Sequence, residues 1–265
     1  AFICYVELLK SPDQRSDLVS GARPTMTVRQ QQLLILPGAI LIVLLLAAAL
    51  LIASTLASAT ATAAPSPYSG LTRRVTSDGA PVLGSLSAPI TVVEFVDFSC
   101  PHCASYQTTI QDVIQRYVAT GQARLEVRIL AGLDPVGSPV AARAALCAGE
   151  QNAFWEMHDQ LLRLQGTYGR SAFAETRIRE AAEKLRLNSA DLWSCVNSAG
   201  RYQEALQSNV DLAINLDVKN LPAVLLRRGS SRPAWIESDG HPMTGSVPPE
   251  VLRAAIEASL AAASQ

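Results

Sequence analysis

The chain has 265 residues, 49% of them apolar, which is enough for one sizeable domain together with a targeting segment. Its 22 lysines and arginines against 23 aspartates and glutamates leave a net charge of −1. Nucleic-acid-binding proteins usually carry a basic surplus, so this balance argues against a nucleic-acid partner.

The first element in the chain is an apolar run over residues 33–56, and no charged residue lies between Arg29 and Arg73. A helix of about 20 apolar residues can cross a bilayer, so the run predicts an N-terminal transmembrane anchor. Four basic residues lie within residues 1–32, and by the positive-inside rule they leave this tail in the cytoplasm. We therefore expect a single-pass membrane protein whose remainder lies on the extracytoplasmic side.

A cleaved signal peptide is the alternative interpretation of the same run. Residues 57–59 and 61–63, Ala-Ser-Ala and Ala-Thr-Ala, resemble the small-residue sites at which such peptides are cut. The first methionine is Met26, shortly before the run, so residues 1–25 are interpreted as an upstream artefact or a tail. Under both interpretations, the domain that follows is exported.

A tether over residues 57–80 is predicted to precede a folded domain over residues 81–265. Stretches dense in β-branched or alternating apolar residues predict strands, and apolar residues at helical spacing predict an all-helical insert over about 138–216. The predicted elements in chain order are strand 90–98, helix 104–120, strand 123–129, the insert, strands 223–226 and 233–237, and helix 249–262. This order predicts one α/β domain that an all-helical subdomain interrupts.

Two thiols, Cys100 and Cys103, lie where the first predicted strand gives way to a helix. A sulfur attacks as a thiolate, and the free backbone N–H groups and the macrodipole at a helix N-terminus stabilise that negative charge. Cys100 is therefore the predicted nucleophile, and Cys103, one turn further on, is predicted to resolve the mixed disulfide. This chemistry needs no cofactor, and we expect none.

Pro101 and His102 separate the two thiols. Pro101 suits the first turn of a helix, where its missing N–H costs no hydrogen bond. A protonated His102 would further stabilise the Cys100 thiolate, and stabilising the reduced form makes the disulfide a stronger oxidant. His102 thus predicts an oxidase rather than a reductase.

The motif could also be half of a zinc site or a purely structural disulfide. A zinc site needs a second close pair of ligands, whereas Cys147 and Cys195 are 48 residues apart, so we expect no metal. In an oxidising compartment Cys147 and Cys195 are predicted to form a structural disulfide. Two buried free thiols are the alternative.

The run VVEFVDFSCPHC, residues 92–103, resembles the active-site region of the DsbA-like branch of the thioredoxin superfamily. Further similar stretches are residues 81–84 and 88–90, 144–148 and 154–158 in the insert, 220–224 and 244–245. The resemblance covers about residues 80–262. It implies a thioredoxin fold with an inserted all-helical subdomain.

The resemblance also implies roles for three further residues. Pro222 would be a cis-proline that faces the two sulfurs, and with Leu221 it would pair through backbone groups with a substrate strand. Glu94 matches a buried acid that assists proton transfer to and from the cysteine pair. From the strand pattern alone Glu94 could instead face solvent, because alternation does not tell which face is buried.

The function implied is that of an exported oxidoreductase that introduces disulfides into extracytoplasmic proteins by dithiol–disulfide exchange at Cys100 and Cys103. The implied partners are exported substrate proteins and a DsbB- or VKOR-type membrane protein that reoxidises the pair. We expect a monomer, and a dimeric isomerase of the DsbC kind is disfavoured because no separate dimerisation domain precedes the fold. The alternatives are a reductase for one dedicated exported substrate and a non-catalytic thioredoxin-like binding module.

Overall fold

The computed structural model describes residues 41–50, 66–198 and 200–263. The chain divides into two units, residues 1–64 and 65–265, and the first is described only over residues 41–50, which are helical with exposed side chains. The rest of the predicted apolar run, both cleavage-site candidates and the predicted cytoplasmic tail lie outside the described residues. No helix in the described part of the chain combines the length and the apolar character that a membrane crossing requires.

The second unit is built on a six-stranded sheet with the strand order β1-β2-β4-β3-β5-β6. The strands are β1 Arg73–Val75, β2 Pro81–Leu83, β3 Ile90–Val96, β4 Ala123–Ile129, β5 Ala223–Arg228 and β6 Ala234–Trp235. Only β3 and β4 are parallel among these neighbours. Since β3 has a neighbour on each edge and cover on both faces, all seven of its residues are buried.

A separate hairpin pairs β7 Glu237–Ser238 with β8 His241–Pro242. The predicted strand 233–237 is therefore two short strands, β6 and β7, which belong to different sheets.

The helices described in the second unit are α1 Pro101–Val113, α2 Gly137–Glu150, α3 Phe154–Tyr168, α4 Glu175–Lys184, α5 Ser189–Val196, α6 Gln203–Asn215 and α7 Pro249–Ala263. A π-helical turn, Ile114–Val118, continues α1, and a 3-10 turn, Gly169–Ser171, follows α3. Helices α2 to α6 lie between β4 and β5 in the chain, where the sequence predicts the all-helical insert. The predicted α/β class with a helical insertion is confirmed.

Helix α1 begins at Pro101, three residues before its predicted start. The cause is local: Cys100 occupies the N-cap position, its sulfur accepts a hydrogen bond from the Cys103 N–H, and a proline follows as the first helical residue. The consequence for the site is that both thiols belong to the first turn of the helix.

Strand β1 lies within the stretch that the sequence assigns to the tether, residues 57–80. Arg73 pairs in register with Leu83 of β2, and its guanidinium forms an ion pair with Glu156 of α3 at 2.6 Å. Just before the strand, Tyr68 is buried, and its hydroxyl donates to the Asp159 carboxylate at 2.6 Å. The folded unit therefore extends N-terminal to Pro81.

The side chains of β3 alternate between two apolar clusters, one on each face of the sheet. Val92 and Val96 belong to the larger cluster, which includes Cys103, and Val93 and Phe95 belong to a smaller cluster with residues of α6. Because Glu94 lies between Val93 and Phe95 in the strand, its side chain shares the face of Val92 and Val96. This alternation turns Glu94 towards the side of the sheet that carries the cysteine pair.

Within the insert, Cys147 of α2 and Cys195 of α5 form a disulfide, with their Cα atoms 5.9 Å apart. The bond joins positions 48 residues apart. In a chain-entropy account, such a link stabilises the fold by restricting the unfolded chain.

We expect replacement of both Cys147 and Cys195 by alanine to lower the free energy of unfolding by about 3 kcal/mol. Urea denaturation of the full chain measures this without a reductant, which would also reduce the Cys100–Cys103 pair. Thiol exchange at Cys100 in the same variant is the control and should persist below the unfolding transition. An unchanged urea midpoint would contradict the prediction.

Candidate active site

The first thiol lies in the short loop between β3 and α1. The Cys100 N–H donates to the Asp97 carbonyl at 2.9 Å, and the Ala104 N–H donates to the Cys100 carbonyl at 3.1 Å. These backbone bonds fix Cys100 at the N-cap of α1, with its side chain turned onto the first turn. A thiolate at this point meets the positive end of the helix dipole.

The Cys100 sulfur is surrounded by groups that favour its ionised form. It accepts a hydrogen bond from the Cys103 N–H at 3.4 Å, and both cysteines are free thiols with exposed fractions of 3% and 0%. The hydrogen bond from the Cys103 thiol, the Cys103 and His102 backbone N–H groups and the His102 charge lower the pKa of Cys100 to about 6, against the opposing effect of burial. Most of Cys100 is therefore thiolate at neutral pH.

Cys103 behaves in the opposite way. Its hydrogen bond to Cys100 and its burial raise the pKa of the Cys103 thiol far above the ordinary range, and the charge of Glu94 acts in the same direction. One sulfur is thus ready to attack while the other keeps its proton. The two thiols thus differ in the direction in which their pKa values are shifted.

Pro101 and His102 lie at the surface, beside the buried sulfurs. Pro101 is the first residue of α1. The side chain of His102 is exposed, and its charge contributes to the lowered pKa of Cys100. The backbone N–H of His102 lowers the pKa of Cys100 as well.

The peptide bond between Leu221 and Pro222 is cis, and it lies directly beside the cysteine pair. The Leu221 carbonyl oxygen is 3.6 Å from the Cys100 sulfur, although the two residues are 121 positions apart in the chain. Pro222 is buried, whereas Leu221 is half-buried. The structure therefore brings together the predicted substrate-binding residues and the predicted nucleophile.

Glu94 is fully buried, which excludes the solvent-facing alternative. Neither of its carboxylate oxygens has a hydrogen-bond partner among the described residues. Burial raises the pKa of Glu94 to about 7; His158 opposes this rise and Asp159 adds to it. In turn, the Glu94 charge raises the pKa of Cys103 and of Tyr106, so the acid is electrostatically linked to the resolving thiol.

Three residues around the cysteine loop were not identified from the sequence as parts of the site. The Asp97 carboxylate accepts from the Ser138 hydroxyl at 2.7 Å, and Ser138 also lies 2.9 Å from the Ser99 hydroxyl. Gln165 of α3 donates to the Ser99 carbonyl at 2.9 Å. Asp97 lies inside the motif, where its charge alone does not mark it as catalytic, whereas Ser138 and Gln165 lie in distant helices with no sequence signal.

The chain is similar to several known proteins. The sequence profile described as thioredoxin matches residues 76–231. The chain is 41% identical over 90 residues to "Na(+)/H(+) antiporter NhaA 1" of Salinispora arenicola, covering 32% of the chain and 13% of that protein. It is 31% identical over 124 residues to "Disulfide bond formation protein D" of Bacillus subtilis, covering 42% of the chain and 55% of that protein. The chain thus spans about half or less of these curated relatives.

Among solved structures, the crystal structure of alpha-DsbA1 from Wolbachia pipientis superimposes with a TM-score of 0.60 and 16% identity. The match covers 71% of this chain and 94% of that one, and at 16% identity it supports a shared fold alone. The profile covers more than half of the 265 residues, and the fold includes the helical insertion. The chain therefore belongs to the thioredoxin family, and its fold is that of the DsbA-like branch.

Proposed function

We propose that this chain is a protein thiol–disulfide oxidoreductase that introduces disulfides into other proteins through Cys100 and Cys103. The observation that carries the proposal is the contrast between the two thiols, with the pKa of Cys100 lowered to about 6 and that of Cys103 raised. A stabilised thiolate favours the reduced pair, and a pair that favours reduction is a strong oxidant. The likeness to a relative named for disulfide bond formation supports the same direction.

The reaction begins from the Cys100–Cys103 disulfide. A substrate thiolate attacks the Cys100 sulfur, the bond between the two enzyme sulfurs breaks, and Cys103 leaves with the electron pair. A second substrate thiolate then attacks the sulfur of the first, which releases Cys100 as a thiolate. The substrate loses two electrons and gains a disulfide, while the enzyme pair gains two electrons.

The protons follow the two pKa values of the cysteine pair. Cys103 takes up a proton when it leaves, because its pKa is raised, whereas Cys100 can remain ionised. Glu94 is assigned the role of proton donor and acceptor for Cys103, since its pKa of about 7 lets it exchange a proton near neutral pH. Its burial, on the face of β3 whose neighbouring residues Val92 and Val96 share an apolar cluster with Cys103, supports this role.

Leu221 and Pro222 are assigned to substrate binding. The Leu221 carbonyl lies 3.6 Å from the Cys100 sulfur, so a polypeptide whose cysteine reaches Cys100 passes directly along this backbone. Its main chain can then pair with the backbone beside Pro222 as an added strand, which requires no particular substrate sequence.

The proposed setting is extracytoplasmic, with exported proteins as substrates and a DsbB- or VKOR-type membrane protein as the oxidant that restores the disulfide. The disulfide between Cys147 and Cys195 supports this setting, because structural disulfides persist in oxidising compartments. The apolar run over residues 33–56 supports membrane anchoring, with a cleaved signal as the alternative. We further propose that the chain acts as a monomer.

The equilibrium reduction potential tests the direction of electron flow. We expect the full chain, equilibrated with glutathione, to give a Cys100–Cys103 potential near about −120 mV, as strong oxidants do. Mass spectrometry after thiol alkylation follows the pair separately from Cys147 and Cys195. A potential near about −270 mV, as in thioredoxin, would contradict the oxidase and favour the reductase.

A further inference from the structure

The carboxylate of Asp97 is fully buried and accepts four hydrogen bonds from three separate segments. One oxygen accepts from the Ser99 N–H at 2.8 Å and the Ser138 hydroxyl at 2.7 Å. The other accepts from the Gly132 N–H at 2.9 Å and the Leu133 N–H at 3.0 Å. Asp97 therefore ties the cysteine loop to the loop after β4 and to the start of α2.

The backbone of the same residue contacts both cysteines. The Asp97 carbonyl accepts from the Cys100 N–H at 2.9 Å, and an Asp97 backbone hydrogen bond favours the ionised form of Cys103. A movement of Asp97 would therefore change the position of the attacking sulfur and the surroundings of the resolving one. The Asp97 side chain therefore fixes the loop backbone that positions both cysteines.

The negative charge of Asp97 does not stabilise the Cys100 thiolate. In the described part of the chain, no lysine or arginine lies within ion-pair distance of this carboxylate. Like charges repel, so a negative charge on Asp97 cannot stabilise a thiolate at Cys100. A geometric role and a purely electrostatic role therefore predict opposite results when the charge is removed.

We propose that Asp97 is a positioning residue, which holds the Cys100 sulfur against the Cys103 N–H by clamping the β3–α1 loop to Gly132, Leu133 and Ser138. The proposal rests on the proposed function, in which Cys100 is the attacking sulfur. It assigns to Asp97 and Ser138 a part in thiol exchange that lies outside the cysteine motif.

The test is Asp97→Asn in the full chain. An asparagine amide nitrogen cannot accept, so the variant loses the hydrogen bonds on one of the two oxygens while keeping the side-chain shape. Iodoacetamide alkylation of reduced Cys100 against pH, followed by mass spectrometry, gives its pKa. We expect that pKa to rise from about 6 towards the ordinary thiol range. The equilibrium constant for reduction by glutathione should fall about 3- to 10-fold, as expected for weakened hydrogen bonds.

If Asp97→Asn does not fold, a second variant tests the same positioning role. Ser138→Ala removes one of the four hydrogen bonds with no change of charge, and a smaller rise in the same direction is expected. Asp134→Asn is the matched control, because its carboxylate caps the same loop through the Val136 and Gly137 N–H groups at 2.9 and 3.1 Å. Both bonds go to Asp134 Oδ1, which an asparagine keeps as an acceptor, so this removal of a charge should leave the pKa of Cys100 unchanged.

The outcomes separate this inference from the proposed function. An unchanged or lowered pKa of Cys100 in both Asp97→Asn and Ser138→Ala would overturn the positioning role, and so would an equal rise in Asp134→Asn. If Cys100 of the unmodified chain alkylates as an ordinary thiol, the proposed function loses its basis instead.

Discussion

Replacing Cys100 by serine is expected to reduce disulfide transfer to the uncatalysed background, whereas replacing Cys103 by serine should trap a mixed disulfide with the substrate. The reason is the contrast between the two sulfurs, since only Cys100 has a lowered pKa and lies beside the Leu221 carbonyl. Without Cys103 there is no internal thiol to release the trapped partner. Disulfide transfer by the Cys100→Ser variant is measured with a reduced, unfolded protein carrying two thiols. The Cys103→Ser variant is mixed instead with an unfolded protein that carries a disulfide: the Cys100 thiolate attacks this disulfide, one substrate thiolate leaves, and non-reducing electrophoresis detects the mixed disulfide.

The variant that lacks Cys147 and Cys195 is the control, because it removes the other disulfide and leaves the cysteine pair intact. It should transfer disulfides at the unmodified rate wherever it is folded. A mixed disulfide formed equally well by the Cys100→Ser variant would show that Cys103 attacks, and the assignment of the nucleophile would be wrong. A Cys100→Ser variant with full binding function would instead favour the non-catalytic module.

Replacing Glu94 by glutamine is expected to stabilise the reduced protein at about pH 8 by up to about 3 kcal/mol and to have little effect at about pH 4. Burial raises the pKa of Glu94 from 4.5 to about 7. Folding thus favours the protonated carboxyl, and the stability this contributes is fully present below about pH 4.5 and lost as the pH rises through about 7. Between these two values, each pH unit changes the free energy of unfolding by about 1.4 kcal/mol. Urea denaturation at the two pH values measures the difference.

Glu126 of β4 is the matched control, since it is a second fully buried glutamate on the neighbouring strand. Its carboxylate pairs with Arg128 at 2.6 Å and also with Arg227. Glu126→Gln leaves these arginines short of a partner, so it should destabilise the protein at about pH 8, by about 3 to 5 kcal/mol. If Glu94→Gln and Glu126→Gln changed the free energy of unfolding in the same direction at about pH 8, Glu94 would not be the unpaired buried acid that the proton-transfer role requires.

The local parts of the fold could be predicted because their signals are local. The seven residues of β3 form one apolar, β-branched run around Glu94, and a proline after Cys100 marks the first turn of a helix. The regular helical pattern alone begins the helix at residue 104, whereas the structure begins it at Pro101, because the Cys100 sulfur accepts a hydrogen bond in the first turn. Apolar spacing identified the insert because each of its helices buries one face.

The parts of the site that join distant segments could not be derived from the residues alone. The contact between Leu221 and Cys100 was expected only through the resemblance, because nothing in the local sequence places a backbone carbonyl beside a sulfur 121 positions away. The contact of Ser138 with Asp97 was missed altogether, since one serine at the start of a helix is ordinarily a capping residue. Burial of Glu94 was left open because alternation gives the two faces of a strand without telling them apart.

The two contacts of the Cys100 sulfur join residues at very different separations in the chain. The hydrogen bond from the Cys103 N–H to the Cys100 sulfur joins residues three positions apart, whereas the contact with Leu221 closes a loop of 121 positions that contains the entire insert. Contacts across long loops form late, because their closure entropy must be offset first. A partly folded chain therefore carries a reactive sulfur before it has the groove that selects partners for it.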